Sequence, residues 1–196
     1  MKTISLRLIP IFLFSLIFAT PVQSQETTAD SLAYDLKIRR VLNKVMVGDA
    51  MKWVNRELPH FELYTSDCEL VTTKDLRGKP TVLTFWSQKC ERCLEDLKKI
   101  EALRVEFGEQ VHFISISIGD MNASWEFLEA HPLNMVCLAD DQDYAGTLTQ
   151  NSFPMTFILD KETKVADLKR WMPTDEERVN SPSLLCDPGA LLRSLL

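Results

Sequence analysis

Thr81-Val82-Leu83-Thr84-Phe85-Trp86 reads as a buried strand, and it runs almost directly into a stretch with Leu94, Leu97, Ile100, Leu103 and Phe107 at helical spacing. At the junction stands Cys90-Glu91-Arg92-Cys93. The first turn of a helix exposes unpaired backbone N–H groups and the positive end of the helix dipole. Both favour an anion, so a cysteine placed there can be held as thiolate, its reactive form. A second cysteine about one turn further on can close a disulfide with the first, and the pair can pass between dithiol and disulfide without rearranging the fold.

Two other uses of such a pair fit less well. Structural zinc normally takes a second ligand pair at similar spacing, whereas Cys68, Cys137, Cys186 and the three histidines His60, His112 and His131 are scattered. A purely structural bridge across so short a loop removes little entropy from the unfolded chain. Redox chemistry is the stronger reading, with Cys90 as attacking and Cys93 as resolving thiol, and it calls for no cofactor and no metal.

Several further segments appear in a telling order. Pro59-His60-Phe61-Glu62-Leu63 comes first, then Lys74-Asp75-Leu76-Arg77-Gly78-Lys79-Pro80, then Phe85-Trp86 with the cysteines, and finally Ser152-Phe153-Pro154-Met155-Thr156-Phe157-Ile158-Leu159-Asp160. Together they resemble the thioredoxin superfamily and, within it, the extracytoplasmic TlpA/ResA-like thiol-disulfide oxidoreductases, over about Leu58 to Leu168. The resemblance implies an α/β thioredoxin-like fold, a central mixed β-sheet flanked by helices, here with an N-terminal β-hairpin and an appended N-terminal helix. It also implies a cis bond before Pro154, with Phe153, Pro154 and Trp86 bordering the substrate.

The departures from the family pattern cluster around the sulfurs. Lys89 stands where the family usually has Trp, Arg92 where Pro is common, Lys98 where another Pro is usual, and Ser152 where Gly is common. Lys89 and Arg92 favour thiolate and Glu91 opposes it, so these three are the expected tuning residues. Asp96 takes the place of a family Glu. One turn after Cys93, it can exchange a proton with a cysteine, or it can be an ordinary acid complementing the helix dipole. Thr84 occupies the place where thioredoxin keeps a buried Asp.

The first residues supply an address. Lys2 and Arg7 precede an apolar run from Leu8 to Ala19, and Val22 and Ser24 are small residues before Gln25, the pattern of a secretory signal peptide over residues 1–24. The apolar run falls short of the roughly 20 residues of a transmembrane helix, although extension through Val22 leaves an uncleaved N-terminal membrane anchor open. The expected location is periplasmic or otherwise extracytoplasmic, soluble after cleavage. A formal charge of −6 argues against nucleic acid. The expected partners are protein thiols or disulfides and a redox partner protein, a membrane-bound one included.

Residues 25–57 read as an N-terminal helical extension, with Leu32, Leu36, Val41, Leu42 and Val45 at roughly helical spacing within Asp30 to Val47, and residues 58–196 as the thioredoxin-like domain. Within it the sequence predicts a hairpin over Phe61 to Thr72, a strand at Val111 to Ile118, a helix from Ser124 to Ala130 and a strand at Asn134 to Leu138. A short helix near Tyr144 to Leu148, strands at Met155 to Leu159 and Val165 to Leu168, and a last helix at Gly189 to Leu195 complete it. Cys137 lies in an apolar run and reads as a buried, inert thiol; a Cys68–Cys186 bridge stays open. Two alternative functions use the same dithiol. A thiol peroxidase would place Ser87 three residues before Cys90, but carries Pro where Leu83 stands. A Cu(I)-binding chaperone would use both thiolates, with no Met-rich or His-rich tract to support it.

Overall fold

The computed structural model describes residues 48–140, 143–170, 172 and 187–196, all within the unit Lys37–Leu196. The expected leader, the helix expected over Asp30 to Val47, and Cys186 lie outside the described residues.

Among the described residues seven strands form one mixed sheet: β1 (Glu62–Tyr64), β2 (Leu70–Thr72), β3 (Thr81–Trp86), β4 (His112–Ile118), β5 (Val136–Asp140), β6 (Met155–Leu159) and β7 (Val165–Lys169). Their order is β2-β1-β5-β4-β3-β6-β7. Four α-helices accompany them: α1 (Glu91–Phe107), α2 (Met121–Ala130), α3 (Tyr144–Thr149) and α4 (Pro188–Leu195). β3, β4 and β5 are parallel neighbours, so each step between them needs a crossover, supplied by α1 and α2. β6 and β7 continue antiparallel on the other side of β3, and β1 and β2 pair antiparallel beyond β5.

Side chains alternate across a strand, and here the alternation divides the core in two. Leu83 and Phe85 of β3 join Ile114, Ile116, Leu138 and Phe157 on one face, covered by Ala145 and Leu148 of α3 and by Ala50. Val82 and Trp86 join Phe113 and Ile158 on the other face. There α1 inserts Cys93, Leu97, Ile100, Leu103 and Phe107, with Phe127 and Leu128 of α2 and Leu192 of α4 packed alongside. The apolar stripe read along α1 is thus its buried stripe, and Cys93 belongs to it.

The structure moves some expected boundaries. α2 starts at Met121 rather than Ser124, because Asp120 caps it: its Oδ1 accepts the Ala123 N–H at 2.9 Å, satisfying one of the unpaired donors of a helix start. β5 starts at Val136, two residues after Asn134. The packed domain also begins before Leu58. Asn55 N–H donates to the Val165 carbonyl at 2.8 Å and Val165 N–H donates to the Arg56 carbonyl at 2.9 Å, so this stretch is pinned to the start of β7.

Candidate active site

β3 delivers the chain to the redox pair through a tight turn in which Cys90 N–H donates to the Ser87 carbonyl at 3.0 Å. Cys90 then caps α1: its Sγ accepts the Cys93 N–H at 3.2 Å, the role a Ser or Asp oxygen plays at other helix starts. The two sulfurs are bonded to each other. They differ sharply in access, Cys93 being 0 % exposed and Cys90 only half-buried. When the bond is reduced, a negative charge on Cys90 meets the Cys93 N–H and the positive end of α1. Lys89, Glu91 and Arg92 are all exposed around it.

Asp96 is not a solvated first-turn acid. Its side chain is 2 % exposed, on the same buried side of α1 as Cys93, and its Oδ2 accepts the backbone N–H of Met172 at 2.9 Å. Burial raises its pKa above the ordinary carboxylate value, while the Met172 N–H, Lys99 and Arg92 pull the other way. Lys99 Nζ lies 3.5 Å from Oδ1 and donates to the Met172 carbonyl at 2.7 Å. Lys99 and Met172 were not singled out from sequence. The Asp96/Lys99 spacing of three is a legible helical pair, but no local signal announces a partner on the far side of the fold.

The Phe153–Pro154 bond is cis, Pro154 is buried, and half-buried Phe153 touches both halves of the core at the entry to β6. Trp86 requires a correction. It is 1 % exposed and packs against Phe127 with ring centroids 5.4 Å apart, because strand alternation turns it beneath α1 and α2. It supports the site from inside the core and does not line a substrate surface. On the same sheet face, Thr156 Oγ1 donates to Thr84 Oγ1 at 3.0 Å, a neutral buried pair at the position where thioredoxin keeps its acid.

The remaining described cysteines stand apart from this chemistry. Cys137 is half-buried, Ser115 Oγ donates to its sulfur at 3.3 Å, and burial pushes its pKa up, which keeps it a neutral thiol. Cys68 is a free, exposed thiol. Among the described residues no group of three or more His, Cys, Asp or Glu is gathered as a metal site.

A bonded cysteine pair at the junction of a central strand and its crossover helix, with a cis-proline opening the antiparallel neighbour of that strand, defines a thioredoxin-fold protein with a redox disulfide. The chain belongs to the AhpC/TSA family, which it matches over residues 54–168. It is similar to the thiol-disulfide oxidoreductase ResA of Bacillus subtilis, 24 % identical over 152 residues that span 76 % of this chain and 84 % of the relative. Among solved structures it resembles StoA of Bacillus subtilis, with a TM-score of 0.52 at 17 % identity over 64 % of this chain and 98 % of that one. It also resembles the exposed lipoprotein thioredoxin Etrx1 of Streptococcus pneumoniae, with a TM-score of 0.52 at 20 % identity over 63 % and 97 % of the two chains.

Proposed function

We propose that this protein is an exported thiol-disulfide oxidoreductase that exchanges disulfides with protein substrates outside the cytoplasm. The observation that carries the reading is the unequal access of two bonded sulfurs: Cys90 at the helix cap is within reach of a partner, and Cys93 beneath it is not. In the reducing direction the Cys90 thiolate attacks a partner disulfide, forming a mixed disulfide and releasing one partner thiolate. Cys93 then gives up its proton and attacks Cys90 Sγ, so the Cys90–Cys93 bond forms, the bond to the partner breaks, and the second partner thiolate takes a proton from water. Two electrons have passed from the dithiol to the partner; oxidation of a substrate runs the same steps backwards.

Because Cys93 is buried, its proton needs a buried acceptor, and Asp96 one turn further along α1 is the group we assign to that task. Phe153 and the backbone before Pro154 form the surface assigned to the incoming peptide, and Lys89, Glu91 and Arg92 set the charge that it meets. Export rests on the N-terminal segment, residues 1–24. No helix among the described residues is long and apolar enough to cross a membrane. The membrane anchor read as an alternative would reside in the first residues.

The test is covalent trapping in the native compartment. Cys93→Ser is expected to accumulate mixed disulfides with partner proteins on non-reducing gels, and Cys90→Ser is not. Equal trapping by both variants, or none by either, would reject the ordering. Rapid peroxide consumption without disulfide exchange would favour the peroxidase reading.

A further inference from the structure

The carboxylate of Asp96 is held asymmetrically. Oδ2 is committed to the Met172 N–H, whereas Oδ1 is buried and has no hydrogen-bond donor among the described residues. The ammonium of Lys99 is close to that open oxygen, at 3.5 Å, but its own hydrogen bond goes to the Met172 carbonyl. Met172 therefore anchors both side chains at once through its backbone. A cation has been fixed beside Oδ1, held there by its hydrogen bond to a different atom, the Met172 carbonyl. The Lys99 side chain is 32 % exposed against 2 % for Asp96, so Lys99 reaches solvent while the acid beside it does not.

We propose that Lys99 is a positioning residue that governs proton uptake by Asp96 Oδ1 in the resolving step, an inference that rests on the assignment of Asp96 as the acceptor of the Cys93 proton. The step balances as before: the Cys93 S–H proton passes to Oδ1, the thiolate attacks Cys90, and Asp96 returns the proton to water. A fixed positive charge makes the ionised carboxylate available at lower pH, so the reaction proceeds under more acidic conditions than a buried, unpaired carboxylate would allow.

Asp96 has other charged and titratable groups on the elements around it. Arg92, on the same helix, acts in the same direction. On β7, Lys169 and Asp167 lie on the sheet face that α1 covers, but they pair with each other at 2.5 Å. Arg170 lies in the segment leading to Met172, and the Cys137 thiol on β5 is kept neutral by burial. The β3 and β6 residues on this face, Val82, Thr84, Trp86, Thr156 and Ile158, carry no titratable group.

The experiment uses the reduced full chain with Cys68 and Cys186 replaced by Ser, mixed with one equivalent of dithiobis(nitrobenzoate). Attack by Cys90 releases one nitrothiolate and resolution by Cys93 releases a second, so the second release isolates the resolving step. Its rate is followed against pH. Lys99→Met and Lys99→Gln are both expected to move the acidic limb of this profile upward by about one pH unit, and Lys99→Arg is expected to stay with the parent. Gln can still donate to the Met172 carbonyl, so a parental profile for Lys99→Gln beside a shifted one for Lys99→Met would reduce Lys99 to a structural hydrogen bond and overturn the proposal. Unshifted profiles in both, with the limb lost in Asp96→Asn, would overturn it while keeping Asp96. A limb that persists in Asp96→Asn would instead reject Asp96 as the acceptor.

Discussion

Thr84 and Thr156 face each other across β3 and β6, both buried, and their hydroxyls bond at 3.0 Å. Replacing Thr84 with Val keeps the shape but leaves the Thr156 hydroxyl without its acceptor, in a place water does not reach. An orphaned buried hydroxyl costs about 1–3 kcal/mol. For a domain of this size that corresponds to a fall in Tm of roughly 2–12 °C. Thr156→Val should cost a similar amount for the mirror-image reason. The double variant removes both polar groups and restores a matched apolar contact, so it is expected to lie near the parent, with a coupling of roughly 0.5–3 kcal/mol between the sites. The assay is urea denaturation of the four oxidised proteins, read by circular dichroism. Additive losses in the double variant would refute the reasoning, because they would mean that each hydroxyl is worth its own contacts and not the pair.

Two further outcomes follow from named groups. Burial, with Lys79 adding to it, holds the His112 pKa below its usual value. The unfolded chain therefore takes up this proton first, so the contribution to stability is complete above about pH 6.5 and is lost as pH falls from there toward the lower folded value. His112→Gln should lose less stability than the parent between about pH 7.5 and pH 5 in paired urea titrations, and identical losses would exclude His112 as a source of the slope. In native alkylation followed by peptide mapping, exposed Cys68 should be modified at least about tenfold faster than Cys137, whose thiol is held neutral by burial. Comparable rates would show that Cys137 is not shielded.

The parts of the site legible in the sequence are those built from neighbours in the chain. A buried strand, a turn and an amphipathic helix place Cys90 at a helix cap and Cys93 one turn inward by local geometry alone, because helical spacing needs no distant contact to be read. The order of segments around Pro154 identified the superfamily, and the cis bond is where the resemblance placed it. What only the tertiary structure decided are contacts between residues far apart in sequence. Period-two alternation says that Trp86 shares a face with Val82, but not that α1 and α2 cover that face, so a residue expected beside substrate is sealed in the core instead. Thr84 finds its hydroxyl partner 72 residues away, and Asp96 receives the N–H of Met172 from 76 residues away. A lone acid on a helix reads the same whether it is solvated or buried. Burial on the packed side of α1, where Met172 meets it, takes Asp96 out of water, and that desolvation raises its proton affinity.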